Sequence, residues 1–234
     1  MKLSKDQIQE LYKFTRKRLV EHYDLQTELV DHLANGIEEQ WVSNTKISFK
    51  EALQNEFQKF GHFGFRGIIK KRKKTMSKRY RGHILRFYKE YFRFPKLLLV
   101  LGLSTIVYLV LQFIHPSYKL FGITIIFCVV GFYFGWKNYK NRKTYKNKIV
   151  ENQRRWMLEE KIYYLGDGIQ VALYPMYFFN GFTGVEYSLN NIYLEFGISL
   201  VTVCCLILSY VMVFVIPQKA EELLEETYPE YKMV

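Results

Sequence analysis

Two mainly apolar stretches constrain this chain more than any other feature. Residues 97–114 read LLLVLGLSTIVYLVLQFI, and residues 192–216 read IYLEFGISLVTVCCLILSYVMVFVI. A helix needs about 20 mainly apolar residues to cross the hydrocarbon layer of a bilayer, and both stretches approach or exceed that length. The sequence therefore predicts an all-α integral membrane protein.

Two further segments are candidate spans, although they are shorter or less apolar. Residues 120–136 are short but flanked by aromatic residues, which is typical of helices that end at a membrane interface. Residues 162–182 contain Asp167, Gln170 and Pro175 and are the least regular candidate. We predict four spans, at residues 97–114, 120–136, 162–182 and 192–216.

The loops between these segments differ in their content of Lys and Arg, which are retained on the cytoplasmic side of a membrane. Residues 66–96 and 137–164 are densely basic, whereas residues 115–119 hold one Lys and residues 180–191 hold no Lys or Arg. This alternation predicts a multi-pass membrane protein with both termini in the cytoplasm. If residues 162–182 did not cross, the turn without Lys or Arg would lie inside, so the alternation favours four spans over three.

Much of the net charge of +12 lies beside the predicted spans. We predict that residues 66–96 form a basic amphipathic helix on the inner membrane surface. Its apolar side chains, among them Met76, Ile84 and Phe87, are expected to contact lipid, and its cations are expected to bind anionic lipid headgroups. Nucleic acid is the alternative partner for a basic chain, but the position of the cations beside the spans favours lipid. The cations of this helix are Lys70, Lys71, Arg72, Lys73, Lys74, Lys78, Arg79 and Arg81.

Residues 217–234 are acidic and are predicted to lie on the same side as the basic helix. This tail could compete with lipid for the cations of the helix. It could also be solvated and unattached, which is the interpretation we favour.

Residues 1–65 differ from the rest, because their apolar residues have helical spacing and their charges are nearly balanced. Ser4 with Gln7, and Ser48 with Glu51, have the spacing of helix-capping pairs, and Gly61 is expected to end the third helix. We predict a small cytoplasmic module of three helices. Its predicted buried faces are Ile8, Leu11, Tyr12, Thr15 and Leu19 in the first helix, Leu25, Leu29, Leu33, Ile37 and Trp41 in the second, and Phe49, Ala52, Leu53, Phe57 and Phe60 in the third.

Glu28, Asp31 and His32 lie close together on the second helix and suggest a metal site as one hypothesis. Glu28 and His32 are one helical turn apart and could share a metal ion. A helical two-metal centre also requires a matching Glu-x-x-His group on a facing helix, which the sequence lacks. We favour a charged surface beside the core, and we predict no metal and no cofactor.

Three stretches within residues 28–61, ELVDHL, IEEQ and SFKEALQNEFQKFG, follow one another in the chain. Together they resemble the short helical module named HAAS and the similar permease prefix domain of bacteria, over about residues 5–70. The sequence departs from that pattern at residues 60–67 and at Asn35 and Gly36, where the glycine weakens the helix by about 1 kcal/mol. The matching residues are Glu28, Leu29, Asp31, His32, Leu33, Glu38, Glu39, Ser48, Glu51, Ala52, Phe60 and Gly61.

The resemblance implies a cytoplasmic signalling or interaction module that engages a protein partner and has no catalytic residues. No common catalytic motif is found either. With the resemblance to a bacterial module, we therefore expect a non-enzymatic protein of the bacterial inner membrane with a signalling or regulatory role. The alternative is an accessory or membrane subunit of an ABC-type permease. Permeases with this prefix usually place a large domain outside, whereas both predicted outer turns here are short.

Two features of the predicted spans leave alternatives open. Asp167 is the one carboxylate expected within the spans, where it is either an ion or proton site or, as we favour, a helix cap at the interface. Gly131 and Gly135 have the spacing of a close helix contact, which fits either packing within one chain or an oligomer.

Overall fold

The computed structural model describes residues 2–115, 118–152, 154–164 and 192–233, apart from the side chains of Leu120 and Met233. Every regular element within these ranges is helical, and they contain no β-strand. The prediction of an all-α fold is therefore confirmed for this part of the chain. The chain divides into two compact units, of which the first comprises residues 1–78 and 149–160 and the second comprises residues 79–148 and 161–234.

The first unit begins with the three predicted helices, α1 (Lys5–Lys17), α2 (Tyr23–Ser43) and α3 (Phe49–Gln58). Ser4 caps α1 with both hydrogen bonds of a capping box. Ser48 Oγ accepts a hydrogen bond of 3.3 Å from the backbone N–H of Glu51 at the start of α3. Gly61 follows α3 with a φ of 71°, the left-handed conformation expected for a helix stop.

The first helix is shorter than its predicted apolar face. Leu11 and Thr15 are buried as predicted, whereas Ile8 is partly exposed. The prediction that Leu19 shares this face is wrong, because α1 ends at Lys17 and the chain turns before Leu19 can continue the helical period. Leu19 instead has a left-handed backbone (φ 67°), and 63% of its surface is exposed.

The core of the first unit forms around α2. All five residues of its predicted stripe are buried, together with Leu11 of α1 and Ala52 and Leu53 of α3. Beside them, the Phe57 ring has its centroid 5.3 Å from that of Phe14 and 5.2 Å from that of Phe65, both with edge-to-face geometry. The stripe consists of Leu25, Leu29, Leu33, Ile37 and Trp41.

The predicted basic helix forms as α4 (Arg66–Glu90), which is shorter than predicted because the chain turns before residue 96. Its first part, to Lys78, belongs to the first unit and the remainder belongs to the second. Met76, Ile84 and Phe87 are buried within the protein. The prediction that these three side chains contact lipid is therefore wrong, because other parts of the chain already cover them.

The remaining helices are α5 (Lys96–Gln112), α6 (Lys119–Asn152), α7 (Met157–Tyr163), α8 (Ile192–Tyr210) and α9 (Ala220–Thr227). The first unit includes the end of α6 and the beginning of α7, whereas the other residues of these helices belong to the second unit. α8 continues without a break through a π-helical segment, Val211–Val215, and a last turn, Ile216–Gln218.

Within the part of the chain that the structure describes, two helices are long and apolar enough to span a membrane, Phe121–Asn152 within α6 and Ile192–Gln218 beginning with α8. α5 is also apolar but has 17 residues, the lower end of the range for a spanning helix. Beyond Tyr164, the predicted third span at residues 162–182 lies outside the described residues, as do Asp167, Gln170 and Pro175 within it.

The apolar helices of the second unit pack around a small core. Leu111 of α5 and Ile123 and Phe127 of α6 are buried together, and Ile198 and Leu206 of α8 pack against them. The described parts of three predicted spans therefore pack together in one group of helices.

The acidic tail also packs within the second unit, so the expectation of a solvated tail is wrong. α9 buries Leu223 and Leu224, because these apolar residues lie on one face of the helix while its glutamates lie elsewhere. Glu226 accepts two hydrogen bonds, of 3.0 and 3.1 Å, from Arg86 of α4. The tail thus pairs with a cation near the end of α4.

Candidate functional site

The segment that follows α6, residues 154–160, docks on the beginning of α2 within the first unit. We name it the connector. The backbone N–H of Tyr23 donates a hydrogen bond of 2.7 Å to the carbonyl oxygen of Arg155, and the N–H of Met157 donates one of 3.3 Å to Asp24 Oδ1. The rings of Tyr23 and Trp156 meet edge to face with centroids 5.2 Å apart, and Trp156 is buried. Backbone, side-chain and aromatic contacts therefore hold the connector in one position.

A histidine–carboxylate pair lies beside these contacts. His22 Nε2 lies 2.7 Å from Glu160 Oε2, and the side chain of His22 is 8% exposed while that of Glu160 is 41% exposed. The pKa of the Glu160 carboxyl group is lowered, chiefly by this hydrogen bond and also by the charges of His22, Lys73 and Arg155. Partial burial acts in the opposite direction. At neutral pH the carboxylate is therefore a stable partner for His22.

The residues that carry the resemblance to the HAAS module have structural positions within the first unit. Leu29 and Leu33 lie in the core of α2, whereas Glu28, Asp31 and His32 are exposed. Phe60 lies in the turn after α3, where its ring centroid is 5.6 Å from that of His32. Ser48 caps α3 and Gly61 follows it, whereas the reciprocal bond from the Glu51 side chain that a capping box requires is not formed, so the predicted box is only half present.

The exposed acidic residues of α2 do not assemble into a cluster. Among the residues that the structure describes, no three His, Cys, Asp or Glu side chains lie close enough together to hold a metal ion. Glu28 instead has its Oε2 3.4 Å from an Nη2 of Arg72. The side chains of α2 thus form a charged surface that contacts α4.

The predicted lipid-binding cations are in two different situations. Lys70, Lys71, Lys73, Lys74, Lys78, Arg79 and Arg81 are exposed. Arg72 differs, because its guanidinium group lies 3.8 Å from Asp24 and 3.4 Å from Glu28 and its side chain is only 30% exposed. Arg72 therefore fixes α4 to α2 within the first unit and is not free for lipid.

The second unit contains a buried polar cluster that the sequence analysis missed. Lys119 Nζ, at the start of α6, lies 2.6 Å from Glu195 Oε1, in the first turn of α8, and both side chains are almost fully buried. Gln112, at the end of α5, donates a hydrogen bond to the other oxygen of Glu195. The prediction that Asp167 is the one carboxylate in the spans is therefore wrong, since Glu195 belongs to the predicted fourth span, and Asp167 itself lies outside the described residues.

A signal for this cluster exists in the sequence. Glu195 is the single acidic residue in residues 192–216, and Lys119 is the single cation in the short turn at residues 115–119. A lone carboxylate in an apolar helix requires a partner in the bundle. The two residues are 76 positions apart, so the spacing in the sequence does not identify them as partners.

Comparisons with known proteins do not assign these sites to a family. No protein-family model, curated protein or solved structure matches the chain. The resemblance of about residues 5–70 to the HAAS module therefore remains a prediction that depends on the motif residues themselves.

Proposed function

We propose that this chain is a non-enzymatic protein of the bacterial inner membrane with a signalling or regulatory role. Four spans place both termini in the cytoplasm, and the HAAS-like module at residues 1–65 engages a protein partner there. The connector passes changes in the spans to the module. Anionic lipid binds the exposed cations of α4, and nucleic acid is not a partner.

The surface of the apolar helices supports the membrane location. Only 17% of an apolar stretch of 18 residues in α6 is buried inside the protein. Large apolar side chains such as Leu99, Ile106 and Phe132 are exposed on α5 and α6. Contiguous apolar surface of this kind is unfavourable in water and favourable in lipid, so a bilayer is the solvent that suits these helices.

The docked connector is the observation that favours signalling. It follows α6 directly in the chain and precedes the predicted third span. Trp156, Met157 and Glu160 of the connector contact three consecutive residues, His22 to Asp24, where α2 begins. A displacement of either span therefore acts on α2 through these contacts, which is a physical route from the membrane to the module.

The membrane orientation is tested with reporters that are active only outside the cytoplasm. One fusion is made after Glu186, in the predicted second outer turn, and another after Val234. The first fusion should be active and the second inactive, since the Lys and Arg content places only the first outside. An active fusion after Val234 would contradict the four-span orientation.

The signalling role is tested by comparing the transcripts of three strains with those of the parent. Loss of the protein and Trp156→Ala should change the same transcripts, because the variant removes the ring that docks the connector while the spans remain. Trp136→Ala is the matched control, since Trp136 of α6 is half exposed. If only complete loss of the protein has an effect, the connector does not transmit the signal.

Transport is a second candidate function, and one observation favours it. Lys119, Glu195 and Gln112 form a buried polar group among apolar helices, and such groups mark ion or substrate paths in many membrane proteins. This alternative places the chain as a subunit of an ABC-type permease. It predicts that loss of the protein changes the uptake or export of a solute, and that Lys119→Met alone abolishes this transport.

A further inference from the structure

A pocket of about 460 Å³ opens in the first unit, between the turn after α1 and the beginning of α4. Arg66, Lys70 and Lys73 of α4 line it, together with the apolar side chains of Leu19 and Ile69. His22 and Glu21 complete the lining. A volume of this size is in the range of sites that hold small molecules.

The three cations of this pocket share one side of α4. With 3.6 residues per turn, positions 66, 70 and 73 fall within about 60° of one another around the helix. None of the three forms an ion pair with another residue that the structure describes. Lys73 influences Glu160 only as a charge at longer range.

The carboxylates near the pocket already have partners. Glu21 lies 3.1 Å from the guanidinium group of Arg155, and Glu160 lies 2.7 Å from His22. Among the residues that the structure describes, neither carboxylate forms an ion pair with one of the three cations. The pocket thus keeps a local excess of positive charge that an anion from outside the chain can neutralise.

The apolar part of the pocket includes an unusual backbone conformation. Leu19 has a φ of 67°, in the left-handed region that residues with a side chain adopt at a cost in free energy. This conformation leaves a large apolar side chain exposed while it lines a basic pocket. A ligand with an apolar group next to its anionic group would cover Leu19 and offset that cost.

We propose that this pocket binds a phosphate group carried by a partly apolar ligand. A phosphate monoester has a charge of about −1.5 to −2 at neutral pH and three acceptor oxygens, which suit one arginine and two lysines better than a single carboxylate does. The ligand is either a phospholipid headgroup or a soluble phosphate ester. The site lies within the first unit and does not depend on the orientation of the spans.

Binding is measured by calorimetry on the full-length protein in neutral detergent at physiological salt. The probes are inorganic phosphate, phenyl phosphate, and dihexanoyl phosphatidate with dihexanoyl phosphatidylcholine as its neutral counterpart. Phenyl phosphate should bind more tightly than inorganic phosphate, and Leu19→Ser should remove that difference. Tighter binding of phosphatidate than of phenyl phosphate identifies lipid as the source, and equal binding identifies a soluble ester.

Two triple variants each remove three positive charges, from two different sides of α4. Phenyl phosphate should bind about tenfold or more weakly to the first triple variant, Arg66→Gln/Lys70→Gln/Lys73→Gln. This is the factor expected for the loss of charge-assisted hydrogen bonds. The matched control is the triple variant Lys71→Gln/Lys74→Gln/Lys78→Gln. These exposed cations are centred about 100° away around the same helix, so their removal should leave binding nearly unchanged.

Two outcomes of these measurements would overturn the proposal. These are an equal loss of affinity in both triple variants, which would indicate diffuse attraction by the helix, and the absence of phosphate binding by the parent protein. Circular dichroism first establishes that each variant is folded. If the first triple variant does not fold, Lys70→Gln and Lys71→Gln are compared instead, and equal affinities in these two would also contradict the pocket.

Discussion

The carboxylate of Glu56 occupies the space that a side chain at Gly36 would need. A Cβ atom added at Gly36 would lie 2.4 Å from both Cδ and Oε2 of Glu56. Glu56 is 3% exposed, and its Oε1 accepts hydrogen bonds of 2.6 Å from Gln40 Nε2 and from Lys59 Nζ. The glycine that weakens α2 by propensity is thus a position at which a side chain of α3 lies directly against the backbone of α2.

We expect Gly36→Ala to destabilise the protein by about 1–3 kcal/mol, although alanine favours a helix interior by about 1 kcal/mol over glycine. The new methyl group must displace a carboxylate that two hydrogen bonds hold in place. Gly67→Ala in α4 is the control, because nothing lies within 4 Å of its added Cβ atom, and it should be neutral or stabilising. Thermal unfolding followed by far-UV circular dichroism measures both changes.

The origin of this effect is tested in a Glu56→Ala background. There the clash is absent, so Gly36→Ala should no longer destabilise the protein and should gain the helix propensity of alanine. An equal loss of stability with and without Glu56 would mean that the carboxylate is not the cause.

The His22–Glu160 pair predicts a stability loss at acidic pH. The pKa of Glu160 is lowered from its ordinary value of 4.5, chiefly by the hydrogen bond with His22. Its contribution to stability is therefore complete above pH 4.5 and is lost as the pH falls below that value through the lowered pKa of the folded state. Glu160→Gln should reduce this part of the pH dependence in denaturant titrations followed by tryptophan fluorescence.

The control for this prediction is Asp31→Asn, which removes one negative charge from an exposed position of α2. It should leave the acid-induced loss of stability as large as in the parent protein. Equal pH profiles for the parent and Glu160→Gln would show that the contact with His22 does not contribute to stability.

Apolar burial, and not charge, should hold the acidic tail in place. Leu223 is fully buried, so Leu223→Ala should destabilise the second unit by about 2–5 kcal/mol. Glu226→Gln removes an ion pair with Arg86 in which both side chains are about half exposed, and such pairs contribute about 0–1 kcal/mol. Limited proteolysis after residue 218 measures release of the tail, which should increase for Leu223→Ala only.

The parts of the fold that depend on local sequence could be predicted. The core stripe of α2, the caps at Ser4 and Ser48 and the left-handed Gly61 each depend on residues within a few positions of one another. Their spacing in the sequence is enough to specify them.

The contacts of the connector could not be predicted in the same way. His22 and Glu160 are separated by 138 positions, and neither belongs to a motif that identifies the other. The burial of Glu56 likewise depends on Gln40 and Gly36 in another helix. Periodicity indicates which face of a helix is buried but does not identify the residues that cover it.

The last prediction concerns the Lys119–Glu195 pair. Both side chains are almost fully buried, so removing one partner leaves an uncompensated charge in an apolar bundle, and we expect Lys119→Met or Glu195→Met alone to cost about 3–5 kcal/mol. Replacing both removes both charges, and the double variant should recover most of the lost stability. Glu225→Gln is the control, since its partner Lys232 is 2.8 Å away but largely exposed, and should cost about 0–1 kcal/mol.

Thermal unfolding in detergent, combined with an assay of function in cells, separates the two roles of this pair. If the pair serves only to hold the ends of α6 and α8 together, the double variant should be both stable and functional, because apolar packing replaces the ion pair. If the pair belongs to a transport path, the double variant should be stable but inactive. Additive losses in the two single variants, with no recovery in the double variant, would contradict a direct interaction between Lys119 and Glu195.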